Sequence, residues 1–179
     1  MHTYIVLLRG INVSGKNLVK MDALKQALLL HEFTKVSTYI QSGNIVVQTP
    51  LDKTAAQKQF EAVLLNQFQV NVPVFILLLS DLENAVANNP FPATAESNKV
   101  FFTFLDTVPD VALVAKLQTI DFGNEVFHVQ NKILYFYVPN GMGKSKMNNN
   151  FFEKKLNVTA TGRNLNTILK LIALTTAID

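Results

Sequence analysis

The chain of 179 residues has room for one large domain or two small ones, and its 49% hydrophobic content is that of a globular protein. The absence of cysteine excludes disulfides, iron–sulfur clusters, thiolate zinc sites and a cysteine nucleophile. The net charge of +3 is modest, but basic side chains are concentrated in residues 1–25 and 141–170. These two segments form either one positive patch or two separate solvated faces.

The apolar runs of the sequence are short. The N-terminal run is Tyr4–Leu8, and no run elsewhere exceeds the six residues of Val74–Leu79. Both are shorter than the core of a signal peptide, and far shorter than a membrane helix. The sequence therefore predicts a cytoplasmic protein that has no membrane partner.

The first half of the chain alternates between extended and helical patterns in the ferredoxin-like order βαββαβ. In chain order, the predicted elements are Tyr4–Leu8, helix Met21–His31, Val36–Ile40, Ile45–Gln48, helix Asp52–Phe68 and Pro73–Leu79. A short extra helix, Asp81–Asn88, is predicted to follow, and prolines then end the first half.

The second half repeats this order. Its predicted elements are Lys99–Leu105, a helix capped at Asp106-Thr107, Glu125–Val129, Ile133–Val138, helix Ser145–Leu156, Val158–Thr161 and helix Asn166–Ala177. The last helix is apolar almost all round, so we expect Leu169 and Ile172 to be buried. The fold class is therefore predicted as α+β, with two tandem ferredoxin-like repeats at 1–92 and 98–179. Each repeat has an extra helix, and the two can pack as one domain.

The loop from Arg9 to Asn17 matches most of a phosphate-binding P-loop. Gly10 is followed after four residues by Gly15-Lys16, but Asn17 stands where a magnesium-binding Ser or Thr is required. Backbone N–H groups and Lys16 would contact phosphate in that interpretation. In the alternative, the loop turns tightly, and Asn12 and Asn17 bond to its backbone.

Gln41-Ser42-Gly43-Asn44 has the chemistry of a hairpin turn. We expect this turn to lie at the end of the sheet opposite Gly10. Its residues would then have to reach along the sheet to share a site with the Arg9–Asn17 loop.

Two further motifs lie in the second basic segment. Lys144 and Lys146 flank Ser145, a predicted helix N-cap, and could bind an anion at the start of that helix. Arg163 and Asn164 lie in a polar turn before the last helix. Asn164 can cap that helix, whereas Arg163 suits a carboxylate or phosphate, or an internal salt bridge.

Other chemistries lack a recognisable pattern in this sequence. The three histidines are far apart and have no metal-ligand spacing, so no metal site is predicted. No acid–base pair stands out, and no cofactor is identified. The aromatic residues of 101–104 and 135–137 lie in apolar runs that indicate a core rather than an RNA-stacking surface.

The sequence resembles the bacterial family known as domain of unknown function 1697 over nearly its whole length. Four separated motifs carry this resemblance: Leu7–Val13, Gly15–Asn17, Gln41–Asn44 and Arg163–Thr167. The family usually has Gly, Pro and Trp at the positions of Ser14, Lys20 and Leu165. The resemblance implies two tandem ferredoxin-like repeats and supplies no activity, cofactor or partner.

The leading hypothesis is a protein that binds a phosphate- or carboxylate-bearing ligand at its loop–helix junctions. The candidate binding residues are Arg9, Asn12, Lys16, Asn17, Lys144, Lys146, Arg163 and Asn164. We expect Arg163 to lie near Lys16 or Arg9, because clustered cations favour an anion. A nucleic-acid-binding module and a protein-interaction module without a small ligand are the alternatives. Catalytic residues and oligomeric state are not predicted.

Overall fold

The computed structural model of the chain describes residues 1–178. Two compact units are present. The first comprises Met1–Glu83 together with residues 170–178, and the second comprises Asn84–Leu169.

The first four strands form one antiparallel sheet in the order β2-β3-β1-β4. The elements of this part are β1 (His2–Leu8), α1 (Met21–Leu29), β2 (Thr34–Tyr39), β3 (Asn44–Thr49), α2 (Lys53–Phe68), β4 (Val74–Leu77) and α3 (Leu79–Ala87). This is the ferredoxin-like arrangement, so the predicted fold of the first half is confirmed.

A continuous apolar core lies against one face of this sheet. Tyr4, Val6 and Leu8 alternate along β1 toward that core, and Leu24 of α1 and Phe60 of α2 are fully buried in it. Each such side chain stabilises the fold by about 1.5–3 kcal/mol relative to an exposed one. Strand β1 ends at Leu8, and the candidate loop begins with the next residue, Arg9.

The second set of four strands forms another antiparallel sheet, in the order β6-β7-β5-β8. The elements are β5 (Val100–Leu105), α4 (Val111–Gln118), β6 (Val126–Gln130), β7 (Ile133–Tyr137), a 3₁₀ turn (Met142–Lys144), α5 (Asn149–Leu156), β8 (Ala160–Asn164) and α6 (Leu165–Thr176). The strand order of the first sheet is thus repeated, and the prediction of two tandem ferredoxin-like units is confirmed.

Two predicted helix starts are wrong. Helix α4 begins after Asp110, whose carboxylate accepts from Ala112 N at 2.8 Å, whereas Asp106 Oδ1 accepts from Thr159 N. Helix α5 begins after Asn148, which accepts from Phe151 N at 3.0 Å. A cap must present its oxygen to the free N–H groups of the first turn, and the predicted caps use their oxygens elsewhere.

Helix α6 is amphipathic rather than apolar on all sides. Ile168 and Leu171 are buried, but Leu169 is 46% exposed and Ile172 is half-buried. The prediction that Leu169 is buried is therefore wrong. The 3.6-residue period places Leu169 on the face opposite the buried stripe, although its neighbours in sequence are apolar.

Candidate functional site

The P-loop-like motif forms a small hairpin. Lys16 N donates to Val13 O at 2.9 Å, and both central residues, Ser14 and Gly15, have positive φ of 51° and 75°. A type I′ turn requires such angles at both positions. The loop also follows a strand of an antiparallel sheet, whereas a P-loop belongs to a parallel βαβ unit. The P-loop interpretation is therefore wrong for this motif.

The side chain of Asn12 connects this hairpin to Val19 and Gln41 by hydrogen bonds. Its Oδ1 accepts from Val19 N at 2.8 Å, and its Nδ2 donates to Val19 O at 2.8 Å and to Gln41 O at 2.7 Å. Asn17 Nδ2 donates to Gly10 O at 2.9 Å. Both amides thus have the backbone-bonding role that the alternative interpretation gave them.

The Gln41–Asn44 turn lies beside this hairpin, so its predicted position at the opposite end of the sheet is wrong. Leu8 N donates to Gly43 O at 2.9 Å, next to the Asn12–Gln41 bond. The reason is topological: β3 runs antiparallel to β1, so the turn that begins β3 meets the end of β1. Gly43 fits there because it has a φ of +72° and no side chain to strike Leu8.

The two basic residues of the first motif differ in exposure. Lys16 is exposed on the small hairpin, whereas Arg9 is half-buried and its backbone N–H donates to Pro73 O at 3.0 Å. Arg163 belongs to the other compact unit, and its predicted proximity to Lys16 or Arg9 stays a prediction.

Arg163 and Asn164 lie in β8, where a turn was predicted. Arg163 is only 8% exposed, and its Nη1 donates to Thr161 Oγ1 at 2.9 Å and to Gly162 O at 2.8 Å. Asn164 Oδ1 accepts from Thr167 N at 3.0 Å and so caps α6. The polar composition of this segment suggested a turn, but its residues pair with β5 as a strand.

Lys144 and Lys146 line a cleft of about 260 Å³ in the second unit. Both lysines are exposed, and no carboxylate among residues 1–178 lies within ion-pair distance of either ammonium group. The remaining lining residues come from the segment before β6 and from the turn after β7: Asp121, Phe122, Asn124, Glu125 and Asn140.

Ser145 joins the two sides of this cleft. Its Oγ donates to Glu125 Oε2 at 2.8 Å and accepts from Met147 N at 2.9 Å. The hydroxyl thus donates its only proton to Glu125 and accepts from Met147 N rather than from the first turn of α5, which Asn148 caps instead. Lys144 and Lys146 are therefore the sequence neighbours of the residue that donates a hydrogen bond to Glu125.

An aromatic ring forms the apolar part of the cleft. Phe122 is half-buried and packs edge-on against Phe127 and Phe151, with ring centroids 5.8 and 5.7 Å apart. Edge-to-face contacts of this kind fix the orientation of a ring. The cleft therefore combines a fixed apolar surface with charged and amide groups.

Sequence reasoning missed five of the seven cleft residues. Asp121, Gly123 and Asn124 form a polar turn signal, but nothing in their spacing indicates that Lys144 and Lys146 lie across from them. Only the pairing of β6 with β7 brings the segment before one strand next to the segment after the other.

The structure offers neither a metal cluster nor a membrane span in the part of the chain that it describes. No group of three or more metal-ligating side chains is present among residues 1–178. Over the same residues, no helix has the length and hydropathy needed to cross a bilayer.

The fold and the cleft together define an α+β protein with two ferredoxin-like units and a charged cleft in the second. The chain belongs to the family described as "Protein of unknown function (DUF1697)", whose match covers residues 1–135. It is also similar to the solved structure of conserved bacterial protein SP0830 from Streptococcus pneumoniae, with a TM-score of 0.70 and 24% identity. That likeness covers 97% of this chain and 98% of the other, and it shows the fold alone. Curated proteins provide no match to this sequence.

Proposed function

We propose that this protein binds a small phosphate- or carboxylate-bearing ligand in the cleft of its second unit. The observation that carries the proposal is the placement of Lys144 and Lys146 on one concave surface, without an ion-pair partner among the described residues. An anion in that concavity would find two ammonium groups available for charge-assisted hydrogen bonds.

The size of the cleft favours a small molecule. Its volume of about 260 Å³ is close to the lower end of ordinary ligand pockets, and a water molecule takes up about 30 Å³. A ligand of a few carbon atoms with one phosphate or carboxylate group fits this space. The proposal concerns binding and includes no reaction.

A nucleic-acid-binding function has less support. Sheets that bind RNA present exposed aromatic rings on their central strands, where bases stack. Here Phe102, Phe104, Tyr135 and Phe136 of β5 and β7 are buried. The two basic residues of the cleft line a concavity rather than a convex stripe, and a concavity suits a small ligand better.

A thermal-shift experiment tests the proposal, with ethyl phosphate as the probe. At ten times its Kd, the probe should stabilise the wild-type protein by about 1.4 kcal/mol, and so raise Tm by about 3–6 °C. The double variant Lys144→Ala/Lys146→Ala should lose this rise. Lys154→Ala removes an exposed lysine of α5 outside the cleft and should keep it.

The control distinguishes a site from a salt effect. Multivalent oxyanions also strengthen apolar burial in any protein, without a binding site. An equal rise of Tm in the wild type, the double variant and Lys154→Ala would mean that the cleft lysines do not bind the probe, and the proposed function would be wrong.

A further inference from the structure

We propose that the ligand of this cleft is a zwitterion, a small molecule that carries an amine together with its phosphate or carboxylate. This inference rests on the proposed function, and it names the chemical class that the cleft would select.

The lining of the cleft contains equal numbers of the two charges. Asp121 and Glu125 stand in the same concavity as Lys144 and Lys146. Among the described residues, these carboxylates form no ion pair with these ammonium groups. A purely anionic ligand can pair with the lysines but leaves both carboxylates without a partner, and a purely cationic ligand leaves both lysines without one. A ligand with both charges can place each charge next to its opposite and should therefore bind more tightly.

The two carboxylates are fixed in place before any ligand arrives. Gly123 N donates to Asp121 Oδ1 at 2.8 Å, and Ser145 Oγ donates to Glu125 Oε2 at 2.8 Å. Each bond occupies one oxygen, so the second oxygen of each carboxylate is available to an ammonium group. A fixed acceptor loses little conformational entropy on binding, and this preorganisation increases affinity.

The uncharged side chains of the cleft suit the hydrocarbon portion that connects the two charged groups of a zwitterion. The ring of Phe122 gives the hydrocarbon portion of a ligand an apolar surface. The Asn140 and Asn124 amides also line the cleft, and Asn140 Nδ2 donates to Asn124 Oδ1 at 3.4 Å. Such amides both donate and accept hydrogen bonds, so they can contact either end of a zwitterion.

Isothermal titration of three probes at fixed ionic strength and neutral pH tests the inference. O-phosphoethanolamine carries both charges, ethyl phosphate lacks the amine, and ethylamine lacks the phosphate. We expect O-phosphoethanolamine to bind at least tenfold more tightly than ethyl phosphate, and more tightly than ethylamine. Charge-assisted hydrogen bonds from the amine to Asp121 and Glu125 are the reason for this preference.

A charge-neutral variant of the cleft identifies the groups responsible. Asp121→Asn/Glu125→Gln keeps an acceptor oxygen for Gly123 N and Ser145 Oγ, so the fold should be preserved. It should reduce the preference for O-phosphoethanolamine over ethyl phosphate to about twofold or less. The control Glu83→Gln neutralises an exposed carboxylate of α3 and should leave the preference unchanged.

The outcomes separate the two proposals. Equal affinity of the wild type for O-phosphoethanolamine and ethyl phosphate would overturn the zwitterion inference and leave the proposed function standing. A preference that persists in Asp121→Asn/Glu125→Gln would also overturn the inference, because its source would lie outside these carboxylates. No binding of any probe at millimolar concentration would overturn both.

Discussion

Replacement of Asn12 should destabilise the protein without affecting the cleft. The side chain makes three hydrogen bonds of 2.7–2.8 Å, two to Val19 and one to Gln41. Each intramolecular hydrogen bond contributes about 0.5–1.5 kcal/mol. Asn12→Gly removes all three but tolerates the φ of +53°, so it should lower the free energy of unfolding by about 2–4 kcal/mol. Asn12→Ala should cost about 1 kcal/mol more, because its Cβ opposes that conformation.

Urea unfolding followed by circular dichroism measures this loss. With a slope of about 1–3 kcal/mol per molar urea, Asn12→Gly should lower the midpoint by about 1–2 M. Asn17→Gly is the matched control, since Asn17 also has a positive φ of 49° but donates only one side-chain bond, to Gly10. We expect it to cost about 1 kcal/mol.

The comparison of these two variants decides whether the amide of Asn12 holds the hairpin. Equal midpoints for Asn12→Gly and Asn17→Gly, both within about 0.3 M of the wild type, would refute the reasoning from hydrogen bonds. The rise of Tm with ethyl phosphate should be the same in Asn12→Gly as in the wild type. A loss of that rise would instead give Asn12 a part in ligand binding.

Three further predictions concern stability. Gly43→Ala should cost at least about 3 kcal/mol in urea unfolding, because its Cβ would lie 2.6 Å from Leu8 Cβ at a positive φ; a midpoint equal to the wild type would contradict this. Burial raises the pKa of the Tyr135 phenol above 10 in the folded protein. The neutral phenol therefore makes its full contribution to stability below pH 10, and this contribution is lost as the pH rises through the raised pKa of the folded state. Tyr135→Phe should therefore flatten the fall of Tm above pH 10. It should also lower the free energy of unfolding at pH 7 by about 1 kcal/mol, because the bond to Ala85 O is lost. A pH profile of Tm equal to that of the wild type would show that ionisation of this phenol does not cause the fall. Asp52→Ala should cost about 1 kcal/mol through the lost cap bond to Ala55 N, whereas Asp52→Ser should recover most of that loss.

The order of elements could be predicted from the sequence because each element carries its own periodicity. Helix α2 is one example: buried Ala56, Phe60, Val63 and Leu64 recur at helical spacing, and Asp52 caps its start. The ferredoxin-like strand order then follows from the succession of elements, since few topologies accommodate it.

Helix starts and the polar segments could not be predicted in the same way. Ser145 and Asn148 are both good N-cap residues, and the choice between them depends on Glu125, which is twenty residues distant in sequence. Arg163 and Asn164 have the composition of a turn, yet pairing with β5 makes them part of a strand. In both cases a contact distant in sequence overrides the local preference.

The candidate site was only partly accessible from sequence for a similar reason. Lys144 and Lys146 can be identified from the sequence by their charge and their place in the chain. Asp121 and Glu125 reach the same cleft only through the pairing of β6 with β7, and no local pattern reveals that pairing register.

An NMR titration of the ¹⁵N-labelled protein with ethyl phosphate tests the central claim most directly, since it reports where the ligand binds. The proposed function predicts saturable shifts of the backbone amides of the seven residues that line the cleft: Asp121, Phe122, Asn124, Glu125, Asn140, Lys144 and Lys146. Lys16, on the small hairpin of the first unit, should show no saturable shift. Shifts centred on residues 9–17, or small and unsaturable shifts over the whole chain, would contradict ligand binding in this cleft.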